Sequence, residues 1–110
     1  MEAVEAVEAV GLKDDTGKLD WDAIPLEVLR NVLPAFLVGL RKYERHNCAL
    51  PFDEPRRRFF AAMMRHAVKC QRDPNAWNEE DGCTHAASMA FNAIMFCHHC
   101  TEKRTEVGPE

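Results

Sequence analysis

His85 is the residue with the most chemistry in prospect. It follows the acidic run Glu79-Glu80-Asp81-Gly82 and stands where a helical pattern opens. From there His85, Ser88, Asn92, Phe96 and His99 recur at helical offsets and so share one stripe. A polar stripe on an otherwise apolar helix needs partners, because a buried unpaired polar group costs about 1–3 kcal/mol. Those partners are either other core groups or a ligand. Glu79, Glu80 and Asp81 offer the oxygen chemistry that magnesium prefers; three acids ahead of a helix also complement its positive end. His66 lies on the apolar face of an earlier helical pattern, with Arg65 beside it. There it is either a packed core histidine or an acid–base group.

Other patterns carry less. Cys97-His98-His99-Cys100 offers one metal-ligand pair where structural zinc usually needs two, and it lies inside a helical pattern; Cys70 or Cys83 would have to complete it. Cys70 and Cys83 otherwise read as packed small hydrophobes. Arg56-Arg57-Arg58 is either a solvated first helical turn or a phosphate-facing patch. The sequence has no Gly-rich phosphate loop, no local signature of a nucleophile triad and no His followed directly by Asp.

The elements that must position these groups are helical. The 110 residues fit one compact domain. The first helix is expected from about Pro25 to Arg45, with Leu26, Leu29, Leu33, Phe36, Leu37 and Leu40 at helical spacing and Pro34 kinking or splitting it. The second is expected from about Pro55 to Arg72, after a loop punctuated by Pro51 and Pro55. The third is expected from about Cys83 to Lys103 and is rich in small apolar residues, which suits burial on several sides. No strand pattern competes. The fold expected is all-α, a small bundle of three to four helices completed by oligomerisation. Residues 1–13, with three Glu-Ala-Val copies, read as a flexible arm; 14–103 form the domain and 104–110 a flexible tail.

Composition narrows the partners. The formal net charge is -4, against the basic excess usual for nucleic-acid binding. The longest apolar stretch, Val32 to Leu40, is too short to span a bilayer. No secretory signal is visible, and the five cysteines are then expected as reduced thiols. A soluble cytoplasmic protein is expected, with neither nucleic acid nor membrane as a partner.

The order of several short blocks is informative: Gly17-Lys18-Leu19-Asp20-Trp21 and Ile24-Pro25, then Gly39-Leu40-Arg41-Lys42-Tyr43 with Asn47, then Arg57 to Phe60 leading into Arg65-His66, and finally Glu80-Asp81-Gly82-Cys83-Thr84-His85 with Asn92. Over about residues 14–97 the chain resembles the dATP/dGTP diphosphohydrolase N-terminal domain family of phages and prophages. The resemblance implies metal-dependent hydrolysis of purine deoxynucleoside triphosphates to monophosphate and pyrophosphate, in nucleotide-pool control and, for a phage protein, in the host cytoplasm. A relation to MazG-type pyrophosphohydrolases further implies magnesium, with manganese as the alternative, and a dimer or tetramer. On this likeness His85, Glu80 and His66 would be catalytic. Glu79, Glu80 and Asp81 would hold the metal, and Lys18, Lys42, Asn47, Arg65 and Asn92 the substrate. Two departures stand out: Cys48 replaces a tryptophan expected after Asn47, and Asn78 an acid expected before Glu80. The MazG-type pairing of glutamates is absent from the expected domain, although Glu2, Glu5 and Glu8 have the spacing. The other reading of the same pattern is a non-catalytic helical module that binds a nucleotide or a protein.

Overall fold

The computed structural model describes residues 9–100, and the fold is helical. Helix α1 spans Leu33–Leu40, α2 Pro55–Arg72 and α3 His85–Cys100. Three short 3-10 turns, Trp21–Ala23, Leu26–Asn31 and Asn47–Ala49, complete the regular structure among the described residues. The Glu-Ala-Val repeat up to residue 8 and the expected tail at 104–110 lie outside them.

Pro34 splits the first expected helix. It has no N–H to give to the carbonyl four residues back, and its ring clashes there. The chain therefore winds Leu26–Asn31 as a 3-10 segment and restarts as α1, with Pro34 in the first turn. There a missing N–H costs nothing. The expected continuation to Arg45 does not form. Gly39 weakens the helix, and the polar run after Leu40 has no apolar face to bury; it makes turns, with the Tyr43 N–H donating to the Gly39 carbonyl at 2.8 Å.

Helix α2 has the expected bounds. Pro55 starts it, and Asp73, which precedes Pro74, is extended (φ -153°, ψ 104°), so the helix stops. Helix α3 begins two residues later than expected, because Thr84 serves as its cap: the Thr84 Oγ1 accepts from the Ala87 N–H at 3.0 Å. A tight loop leads into it. Trp77 and Thr84 form an isolated antiparallel bridge, and Gly82 takes the left-handed conformation that closes the loop (φ +76°).

Helices α2 and α3 run antiparallel, as their contacts require: His66 meets His85 near one end, and Phe60 meets Phe96 towards the other. Helix α1 leans on α3 through Ala35, Cys83 and Ala87, with Val38 and Phe91 packed against them. The Phe36 and Phe91 rings meet edge-on at 4.7 Å. Cys83 is therefore the packed small hydrophobe expected. One ridge of α2 is only partly covered: Phe60, Met64 and Val68, one turn apart, are each nearly half exposed (46%, 45% and 47%). No described helix is long and apolar enough to cross a membrane.

Candidate functional site

The antiparallel pairing brings the two expected histidines together. His66 Nδ1 and His85 Nδ1 are 2.9 Å apart, with the rings tilted at 34°. One Nδ1 must carry the hydrogen and donate while the other accepts, so at most one of the two rings is an imidazolium in this geometry. His85 is buried at 5% exposure; His66 is half-buried. Burial lowers the His66 pKa from its ordinary 6.5, helped by the neighbouring His85, Lys69 and Arg65 and opposed by Asp81. At neutral pH its ring is uncharged and able to take a proton.

That shift has a consequence for stability. As pH falls below about 6.5 the unfolded chain protonates His66 more readily than the folded one. Stability is thus complete above that value and lost as pH falls through the window beneath it. The urea midpoint is expected to rise with pH up to about 6.5 and then level off, with a shallower rise in His66→Gln. An unchanged slope in that variant would remove the histidine pair as the cause.

Beside this pair, three depressions adjoin one another. The first, about 500 Å³, lies between α1, α2 and the loop that joins them, and its walls include Phe36, Phe91, Phe52 and Phe59 with Lys42 and Asn47. Arg58, Phe52 and Phe59 are shared with the second, about 430 Å³, which also holds Arg65 and Asn92. Arg65 is shared with the third, about 510 Å³, where His66 and Asn78 also appear. The aromatic walls are mutually braced: Phe59 contacts Phe52 and Phe91 and stacks on His99 at 5.3 Å. The Arg58 guanidinium lies 5.0 Å from the Phe52 ring centroid.

Of the expected substrate residues, Lys42 and Asn47 thus share one depression and Arg65 and Asn92 the next. Lys18 stays apart, on an exposed turn around Gly17, and lines none of the three. The Asn92 amide donates to the Ser88 carbonyl at 2.7 Å, which fixes its orientation. The acids are arranged differently from a ligand shell. Asp81 accepts from the Cys83 N–H at 2.9 Å, whereas Glu79 and Glu80 are exposed. The Glu80 N–H is held by Asn78 Oδ1 at 2.8 Å. Among the described residues no three His, Cys, Asp or Glu side chains converge as metal ligands, so these acids do not fit a resident cation site by themselves. The same holds for the cysteine–histidine run. His99 Nε2 lies 2.9 Å from the Cys48 carbonyl and His98 Nε2 3.2 Å from that of Ala49, so both pin the turn at Asn47–Ala49.

Sequence reasoning missed the aromatic lining and the place of Arg58 in it. The spacing of Arg58 and Arg65, two turns apart on α2, was the available signal. Within the Arg56–Arg58 run, Arg57 pairs with Glu54 at 2.8 Å and borders the second depression, while Arg58 lines both the first and the second.

The architecture defines a small all-α domain with an aromatic cavity leading onto a cationic helix flank and a histidine pair. A family model described as dATP/dGTP diphosphohydrolase, N-terminal, matches residues 8–107, and the chain belongs to that family. No curated protein and no solved structure matches it.

Proposed function

We propose that the domain binds dATP or dGTP and hydrolyses it to the monophosphate and pyrophosphate. The observation that carries this reading is the continuity of the aromatic cavity with the Arg58–Arg65 flank and the histidine pair. The base stacks among Phe36, Phe52, Phe59 and Phe91, where flat apolar rings match a purine. Lys42, Asn47, Arg58, Arg65 and Asn92 hold the phosphates and sugar. Arg58 and Arg65 are ~10 Å apart along α2, a span suited to a phosphate chain. Water attacks the α-phosphorus, its proton passes to the neutral member of the His66–His85 pair, and pyrophosphate leaves with the bridging oxygen. The divalent cation, magnesium or manganese, belongs in this reading to the nucleotide as substrate. Glu79, Glu80 and Asp81 border its approach electrostatically, and no step runs through them. A panel of nucleotides with each cation, read by pyrophosphate release, tests the proposal; absence of release from both dATP and dGTP overturns it.

The lack of converging carboxylates among the described residues favours a second reading, a nucleotide-binding module without turnover. Nucleotides would then raise the melting temperature but release no pyrophosphate.

The proposal includes a homo-oligomer. Phe60, Met64 and Val68 form an uncharged ridge on α2, meeting the cationic flank at Val68, of the sort that seats in the grooves of another helix. Sedimentation is expected to show a dimer or tetramer and Met64→Glu a monomer. A wild-type monomer at all concentrations would rule this out.

A further inference from the structure

Helix α2 carries six Lys and Arg residues and neither Asp nor Glu, although the whole chain is acidic. Four of them, Arg58, Arg65, Lys69 and Arg72, fall at offsets of 7, 11 and 14 and so share one flank. Arg65, Lys69 and Arg72 line the third depression, together with His66, Val68 and Asn78. Among the described residues none of these three cations is in an ion pair. Positive groups gathered in one concavity repel each other, and the proton affinity of His66, lowered first by burial and then by His85, is lowered further by Lys69 and Arg65. Asn78 holds the Glu80 N–H through its Oδ1, which leaves its amide N–H groups to donate.

We propose that this depression is a pyrophosphate site. It takes the β- and γ-phosphoryl half of the triphosphate before cleavage and retains inorganic pyrophosphate afterwards. The proposal rests on the hydrolytic reading above and extends it to Lys69, Arg72 and Asn78. The chemistry is that of a compact polyanion: guanidinium groups donate in pairs to phosphate oxygens, and the ammonium of Lys69 adds a point charge. The volume of about 510 Å³ exceeds what a single phosphate needs. Arg65, common to this depression and the second, would bridge the α- and β-phosphates.

Calorimetric titration with inorganic pyrophosphate, inorganic phosphate and dAMP tests the assignment. Wild type is expected to bind pyrophosphate about tenfold or more tightly than phosphate. Lys69→Ala and Arg72→Ala should each weaken pyrophosphate about tenfold, and Lys69→Arg should restore part of the loss. Binding of dAMP, seated among the phenylalanines, should be unchanged in all variants, which also reports that they fold. Pyrophosphate binding that is absent from wild type, or equal in wild type and the double variant, overturns the proposal. If pyrophosphate binds as expected but neither dATP nor dGTP is turned over, the hydrolytic reading falls and the anion site stands.

Discussion

Replacing His85 with alanine is expected to lower the turnover of dATP and dGTP by about 10²- to 10⁴-fold, the usual worth of a positioned acid–base group. The substitution removes the partner that fixes the His66 Nδ1 at 2.9 Å, so the proton acceptor loses both its tautomer and its orientation. His66→Ala should cost a similar factor, and the double variant little more than either, because the two rings act as one unit. The effect should fall on kcat, since the aromatic cavity and Arg58 hold the nucleotide independently of the pair. Glu80→Gln should cost much less, no more than a few-fold, because Glu80 is exposed and borders the approach of the cation without entering a step. Pyrophosphate release measured under saturating nucleotide, with circular dichroism to confirm the fold, decides the matter. His85→Ala turning over at the wild-type rate would remove the pair from the chemistry.

Phe59→Ala is expected to be the most destabilising single change around the cleft, by about 2–4 kcal/mol. In a domain of this size that lowers the melting temperature by roughly 10–20 °C. Phe59 joins three elements: it meets Phe91 of α3, Phe52 of the preceding loop, and His99, whose ring holds the Cys48 carbonyl. Truncation opens a void that these neighbours cannot jointly fill, and it also removes one wall of the base cavity. Phe59→Leu, which keeps most of the volume, should cost less than about 1.5 kcal/mol. Thermal unfolding of the two variants separates volume from ring chemistry. A Phe59→Ala melting point equal to wild type would show that the aromatic cluster does not hold the loop.

The helices were legible where local rules act alone. Pro55 at the start and the Asp73-Pro74 pair at the end delimit α2 without reference to any other element. The disruption at Pro34 was legible for the same reason, because a missing N–H is a property of the residue. The end of the first helix was not. Arg41 to Arg45 are good helix formers by composition, and the absence of a surface for them to cover, added to the weak point at Gly39, turns the chain at Leu40. The start of α3 shifted from Cys83 to His85 because a threonine oxygen captured the Ala87 N–H, a competition that periodicity does not register.

The site divides in the same way. His85, Ser88 and Asn92 could be placed on one buried stripe from spacing alone, since a helix fixes its own faces. That His66 meets His85 depended on the antiparallel register of α2 and α3, which is set by how Phe59, Phe60, Phe91 and Phe96 pack. The distribution of charge along α2 was likewise written in the sequence as four cations at helical offsets. Which depressions they line came from the tertiary structure alone. The family resemblance was carried by short blocks in order, because identity and order survive without coordinates. Cavities do not: they are gaps between elements, and no residue encodes a gap by itself.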